Sequence, residues 1–352
     1  MELQEKYKVA VLVLCTNEKH FMDDCMSSLL SQSYKNVDIY LLDNNSSDGS
    51  VEYVNEKFPS VKILHFESNL GYAKANNNGL KAAFDKDNAD FCLVLNSDVK
   101  CKENMIDEML KTYKTNQAQN IKVGLIQPVI LLYDEPEKLN TVGNAIHYLG
   151  FGYCKDYKKK YVPLDTDKEI IFASGAAMLV SKEYYNDVGL INEDFFLYYE
   201  DQNYSWRGLL KGYKHFVCAK AEMLHKYRFK SYPFKMYHSE KNRVMILLEN
   251  YRWKTLFLLS PALALNALFL FTHSIFNGWF KSKVRSVFYI FSHFGYIMKV
   301  RKHIQQTRSV TDKELIKRFE SRIDFEATDN KITKNIVSPL YSFYYKLIIK
   351  II

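Results

Sequence analysis

Three apolar runs in the first hundred residues stop in the same way. Val9–Cys15 gives way to Thr16-Asn17-Glu18, residues 37–42 to Asp43-Asn44-Asn45-Ser46, and Leu93-Val94-Leu95 to Asn96-Ser97-Asp98. A buried strand that ends in polar groups delivers them to the carboxyl edge of an open α/β sheet, where such sheets bind ligands. Turn formation explains any one of these clusters. Three alike describe a site.

Between these runs lie segments with helical apolar spacing, at 21–32, 50–58, 72–84 and 103–115, with further strand-like runs at 61–66 and 123–127. Strand and helix alternating at this pace predict an α/β fold: a Rossmann-like, mostly parallel sheet with helices on both faces. The pattern changes after Pro128. Residues 139–165 read as a loop or hairpin excursion, 171–180 return to the core, and 202–211 form a helix. From 233 onward the chain is helical, basic and aromatic, so we expect one catalytic domain over 1–232 and a helical extension over 233–352.

At 352 residues, 47% hydrophobic and 25% charged, the chain is long and apolar enough to be globular. Its six cysteines are scattered without a CxxC pair, which reads as reduced thiols and neither a disulfide frame nor a zinc site. The charged opening at 1–8 does not read as a secretory signal. From Lys226 to Arg318 there are 18 Lys or Arg against 4 Asp or Glu, a local +14 in a chain of net +8. Inside that region 255–280 carries no Asp, Glu, Lys or Arg, a length that reaches across a bilayer. Basic flanks around an apolar, aromatic stretch favour an anionic membrane surface. Nucleic acid is disfavoured, because the aromatics sit in apolar blocks and not among the basic residues.

The order of motifs resembles the inverting family 2 glycosyltransferases of GT-A fold, nearest their rhamnosyltransferase-like branch. The matching pieces are Thr16-Asn17, the DNNSSDGS run from Asp43 to Ser50, Asn69-Leu-Gly71-Tyr-Ala-Lys74-Ala-Asn76-Asn77-Asn78-Gly79 and Leu95-Asn96-Ser97-Asp98. They continue through Ser174-Gly175-Ala176, Val188-Gly189, Glu200-Asp201 after an aromatic block, and Lys241-Asn242-Arg243. The resemblance implies transfer of one sugar from a nucleotide-sugar donor, dTDP- or UDP-linked and possibly dTDP-rhamnose, to a lipid-linked or cell-surface glycan at the cytoplasmic face of a membrane.

The residues support roles of their own beside that resemblance. Asp43, at a strand end, can accept from the imide N–H of a pyrimidine base, with Thr16, Asn17 and Ser46 around it; capping the helix after 48 is the plainer alternative. Around Gly71 the backbone is bare, so a ligand could approach it, while Lys74 offers charge to phosphate and Asn76 and Asn77 make or brace donor contacts. Asn96-Ser97-Asp98 stands where the family carries a metal-binding DxD. Asn replaces the first Asp, which leaves Asp98 to hold Mn²⁺ or Mg²⁺, with His225 a further candidate ligand. The resemblance implies Asp201 as the base, with Glu200 orienting the acceptor or a neighbouring helix; the aromatic block at 195–199 would raise a carboxylate's pKa, and capping of helix 202–211 is the plainer alternative. Arg207 could brace a carboxylate.

QxxRW of processive synthases is absent, as are the dinucleotide G-x-G-x-x-G, the Walker lysine and GxSxG. A sugar-phosphate nucleotidyltransferase and a catalytically inert membrane scaffold are the competing readings. The first lacks its usual glycine-rich, basic loop after the first strand.

Overall fold

A computed structural model describes residues 6–227, 232–323, 335 and 337–352, and the chain divides into two compact units. The first comprises 1–144, 154–208 and 213–227; the second comprises 145–153, 209–212 and 228–352. The expected boundary at 232/233 adjoins residues 228–231, which lie outside the described residues.

Ten strands of the first unit form one sheet: β1 (Val9–Cys15), β2 (Val37–Asp43), β3 (Lys62–His65), β4 (Phe91–Asn96), β5 (Val99–Cys101), β6 (Val123–Leu132), β7 (Leu139–Thr141), β10 (Lys168–Ile170), β11 (Ala177–Ser181) and β12 (Lys214–His225). The short β8 (Asn144–Ile146) and β9 (Gly152–Cys154) form a separate two-stranded pair. The order is β10-β12-β6-β11-β4-β1-β2-β3, with β5 on β12 and β7 on β6. β3, β2, β1 and β4 are parallel, as are β6 and β12, whereas β11 is antiparallel to both β4 and β6.

Helices cover both faces because alternate residues of each strand point to opposite sides. Val9, Val11 and Val13 pack with α1 (Met22–Leu30), α2 (Ser50–Lys57) and α4 (Met105–Ala118), through Met26, Val54 and Met109. Ala10 and Leu12 face α3 (Gly71–Lys81), α5 (Lys182–Val188) and α6 (Glu200–Leu210), through Leu80, Tyr184 and Tyr204. Burial on both faces explains why these strands read as continuous apolar runs.

The structure departs from the sequence reading at Pro128, where β6 does not end. Proline has no N–H for a ladder and is tolerated in a sheet at a bulge. Cys218 pairs with Pro128 and Glu222 with Val129, so β12 bulges by three residues at that point. His215, at the start of β12, is fully buried: its Nδ1 accepts from Leu125 N at 2.8 Å and its Nε2 donates to Ser205 O at 2.9 Å. It thereby ties α6 to the sheet.

The second unit contains α7 (Pro233–Asn250), α8 (Trp253–Phe276), α9 (Phe280–Ser292), α10 (Phe294–Thr307), α11 (Asp312–Ile316) and α12 (Ser338–Ile348). Charge holds its interior. Burial alone would raise Glu240, but Arg243 and Lys283 bind it from two sides and hold it down to about 2. Arg308 meets Asp312 at 2.5 Å, and Asp312 also accepts from Thr255 at 2.6 Å.

A methyl group on Gly124 would lie 2.4 Å from His215 Nδ1. Gly124→Ala is therefore expected to displace this bracket and lower stability by about 1–3 kcal/mol, measured as the urea midpoint. An unchanged midpoint would show that His215 does not anchor α6.

Candidate active site

The parallel register pairs Cys15 with Asp43, so the chain leaves β1 and β2 side by side. Asn17 takes a left-handed φ of 57°. Its N–H donates to Ser46 Oγ at 3.0 Å, and its Oδ1 accepts from Ser47 N at 2.7 Å. Thr16 is joined to the group through Asn44, whose Nδ2 lies 3.3 Å from Thr16 Oγ1 and 2.9 Å from Asn69 Oδ1. Asp43 sits beneath this network with no exposed surface. Its Oδ1 accepts from Ser46 N at 3.0 Å, and its Oδ2 pairs with His65 Nδ1 at 2.6 Å. Asp43 does not cap α2; Asp48 accepts from Ser50 N there. Nor does this geometry present the carboxylate for the direct base contact expected of it, because both oxygens are engaged and covered. The half-exposed His65 is the outward member of the pair.

The bare backbone at Gly71 serves the protein itself. With φ at 73°, a Cβ there would fall 2.6 Å from Phe196 O and 2.5 Å from its ring. Tyr72 N donates to that same oxygen at 2.7 Å. What approaches Gly71 is therefore the 195–199 loop and not a ligand. Lys74 is exposed on the second turn of α3. Asn76 is buried, donates back to Tyr72 O at 3.0 Å, and has an Oδ1 without a partner among the described residues. Asn77 is fully engaged as a brace: its amide donates to Ile191 O and Glu193 Oε1, and its carbonyl accepts from Ile191 N.

Asp98 ends the turn after β4, and β5 then pairs with β12 so that Val99 faces His225. The result is a contact of 3.3 Å between Asp98 Oδ1 and His225 Nε2, with Asn96 Nδ2 3.5 Å from the same nitrogen. His225 Nδ1 faces Asn140 Oδ1 at 2.8 Å, which fixes the ring with Nε2 turned toward Asp98. Burial would raise Asp98, but the hydrogen bond and charge of His225, with help from Asn96, hold it below its ordinary range. Glu18, which sequence reasoning placed in the polar cluster but gave no role, accepts from the Ser97 hydroxyl. Burial first, and then the charge of Asp98, push it up to about 7.

A divalent cation is the group this end of the sheet could hold. Two ligands at right angles on Mg²⁺ or Mn²⁺ lie about 3 Å apart, and the Asp98–His225 separation of 3.3 Å fits that spacing. No cluster of three His, Cys, Asp or Glu ligands occurs among the described residues. Asp98 and His225 could supply two donors to such an ion.

Because β11 is antiparallel to β4, its incoming turn 174–176 lies against the outgoing end of β4, and Asn96 N donates to Ala176 O at 3.0 Å. Gly175 in that turn donates its N–H to Asp201 Oδ2 at 2.9 Å and accepts from Tyr72 OH at 2.6 Å. Asp201 Oδ1 accepts from Gln202 N at 2.7 Å. Phe196, Tyr198 and Tyr199 before it all have φ between 57° and 70°. Such backbone costs about 1–3 kcal/mol per residue and clusters at functional sites.

Burial raises both acids, and they settle differently. Burial raises Asp201 while two backbone N–H groups oppose that effect. Glu200 is pushed well above its usual range by burial and then by the Asp201 charge, and its Oε2 has no partner among the described residues. Of the two, Glu200 is the acid held more strongly toward its protonated form. Arg207 does not brace either acid: its guanidinium donates to Val188 O and Leu190 O, at 3.2 and 2.6 Å.

A carboxyl whose folded pKa is raised gives its full stability below the unfolded value and loses it as pH climbs toward the folded one. Glu200→Gln removes that loss. The variant's melting temperature, relative to wild type, is expected to rise between about pH 5 and about pH 8. A constant difference by differential scanning fluorimetry would place the proton elsewhere.

A family model described as glycosyl transferase family 2 matches residues 10–189. The low-salt glycan biosynthesis hexosyltransferase Agl10 of Haloferax volcanii is 24% identical over 234 residues, 63% of this chain and 71% of that one. The N-acetylglucosaminyl-diphospho-decaprenol L-rhamnosyltransferase of Mycobacterium tuberculosis is 24% identical over 219 residues, 57% and 70% of the two chains. Among solved structures, GalNAc-T7 with UDP, GalNAc and Mn²⁺ superposes with a TM-score of 0.57 at 14% identity, over 72% of this chain and 49% of that one. That likeness concerns the fold, which is the GT-A arrangement with added carboxy-terminal helices. The family match over residues 10–189 includes the ends of β1, β2 and β4, and the chain belongs to glycosyl transferase family 2 as a glycosyltransferase.

Proposed function

We propose that this enzyme transfers a single sugar, with inversion, from a pyrimidine-nucleotide donor to a lipid-linked saccharide at a membrane surface. The observation that carries the reading is the Glu200–Asp201 pair: two adjacent buried acids, Asp201 held by backbone N–H groups and Glu200 raised well above its usual range, in the same unit as the Asp98–His225 contact. Asp201 accepts the proton of an acceptor hydroxyl while that oxygen bonds to the anomeric carbon and the carbon–oxygen bond to the diphosphate breaks. Displacement from the opposite face inverts the centre, and the nucleoside diphosphate departs. Glu200, being protonated, adds no competing negative charge beside the base. Asp98 and His225 would hold Mn²⁺ or Mg²⁺, whose charge offsets that of the leaving diphosphate when bound.

The segment 16–17, the turn 43–46 and Lys74 would line the donor side. His65, not Asp43 directly, is the group placed to meet a base, with Asp43 fixing its ring. Asn76 and Asn77 act by holding α3 and the turn at 191–193. The rhamnosyltransferase relative supports dTDP-rhamnose as the first donor to test and a lipid diphosphate as the carrier of the acceptor. The cytoplasmic face of the membrane is the side where nucleotide sugars are made available.

The test is nucleotide release from dTDP-, UDP- and GDP-sugars, with native membranes supplying acceptor, with and without chelator. Asp201→Asn is expected to lose about 10²–10⁴-fold of the rate, whereas Glu200→Gln keeps it within about tenfold at neutral pH. Asp98→Ala is expected to lose the metal-stimulated part. Equal loss in Glu200→Gln and Asp201→Asn would reverse or merge the roles assigned here, and release from a GDP-sugar alone would overturn the pyrimidine assignment.

A further inference from the structure

Three helices of the second unit, α8, α9 and α12, turn large apolar residues outward. α9 exposes Phe280, Val284, Val287, Phe288 and Phe291, the spacing of one helical stripe, while Lys283 and Ser286 are its buried residues. In α8, Thr255, Asn266 and Ser274 are buried, Thr255 bonded to Asp312 and Asn266 to Tyr341 of α12. Phe257 and Phe276 of the same helix are 77% and 86% exposed. α12 likewise exposes Leu340, Phe343 and Leu347. In water a helix turns its apolar stripe inward. Contiguous outward stripes mark a surface that meets an apolar phase.

The charge around these stripes names that phase. From Tyr251 through Thr311 there are nine Lys or Arg and no Asp or Glu. Arg252 and Lys254 stand exposed at the start of α8, and Lys281 and Arg285 flank the α9 stripe. Apolar stripes bordered by unopposed cations fit an anionic bilayer, where each cation near the surface adds to the attraction.

Composition and a length of 24 residues would let α8 cross a bilayer. Its packing argues against that. It is fastened to the unit at its start through Thr255 on Asp312, in its middle through Asn266 on Tyr341, and at its end through Phe271 on Phe280, ring centroids 5.4 Å apart. α9, at 13 residues, is about 20 Å long, too short to cross, and Lys283 ties it to Glu240. Spanning by α8 would drag these buried ion pairs into hydrocarbon or break them. We propose that the second unit docks on one leaflet of an anionic membrane, with the outer stripes of α8, α9 and α12 sunk among the lipids and α8 lying along the surface.

This deepens the membrane-facing part of the proposed function and rests on it only for where the acceptor is met. The test needs no sugar, so its failure is separable from failure of transfer. The full chain is mixed with preformed sealed vesicles of phosphatidylcholine alone or with phosphatidylglycerol, and flotation is measured. Binding is expected with phosphatidylglycerol and about tenfold less without it. The double variant Phe288→Ser/Phe291→Ser is expected to bind about tenfold more weakly, with wild-type circular dichroism and melting. Lys281→Glu/Arg285→Glu should lose the preference for phosphatidylglycerol. A carboxy-terminal epitope on bound protein should stay open to protease added outside. Protection of the epitope would establish a span and overturn the proposal. So would undiminished binding by the stripe variant, or a wild-type dimer in solution that ignores vesicles and falls apart in that variant.

Discussion

The N–H of Gly175 on Asp201 Oδ2, at 2.9 Å, is the contact on which the site's geometry turns. It is available because β11 runs against the direction of β4, which brings the 174–176 turn to the end of the sheet where β1, β2 and β4 finish. Tyr72 holds the other side of Gly175, and a Cβ on that glycine would fall 2.9 Å from the tyrosine oxygen. One peptide thus links α3, the sheet and the first turn of α6. Its N–H, with that of Gln202, opposes the desolvation of Asp201, whereas Glu200 Oε2 has no partner among the described residues.

The two units obey the same rule of burial with opposite signs. In the first, both faces of β1 and β4 are apolar and covered up to the polar groups at their ends. In the second, buried positions of α7, α8 and α9 carry Glu240, Arg243, Asn266 and Lys283, while phenylalanines face outward. Ion pairs join apolar packing in that interior, beside buried residues such as Leu247, Leu259 and Ile297. Their cost is offset only by mutual neutralisation, as the depressed Glu240 shows. An interior of that kind leaves the hydrophobic residues free for an outside partner.

Much of this was legible in the amino-acid order. The apolar runs at 9–15 and 91–96 are strands, and the polar ends of β1, β2 and β4 do converge. Asp98 and His225, 127 residues apart in sequence, meet because β5 and β12 pair, a contact that spacing alone only suggested. Other features lay beyond local pattern. His65 over Asp43 and Glu18 under Ser97 arise from register between strands, which no short window contains. Gly71 looked like room for a ligand and proved to be room for Phe196, and Arg207 found carbonyls where a carboxylate was expected. The passage of β6 through Pro128 is accommodated by a bulge in a strand about ninety residues later.

The central claim is that at neutral pH Asp201 is ionised and Glu200 carries the proton. Infrared difference spectroscopy reads this directly, through the carbonyl stretch of a protonated carboxyl in protein held near neutral pH. The account predicts such a band in wild type, its loss in Glu200→Gln and its persistence in Asp201→Asn. A band that survives Glu200→Gln and disappears in Asp201→Asn would put the proton on Asp201 and contradict its role as the base.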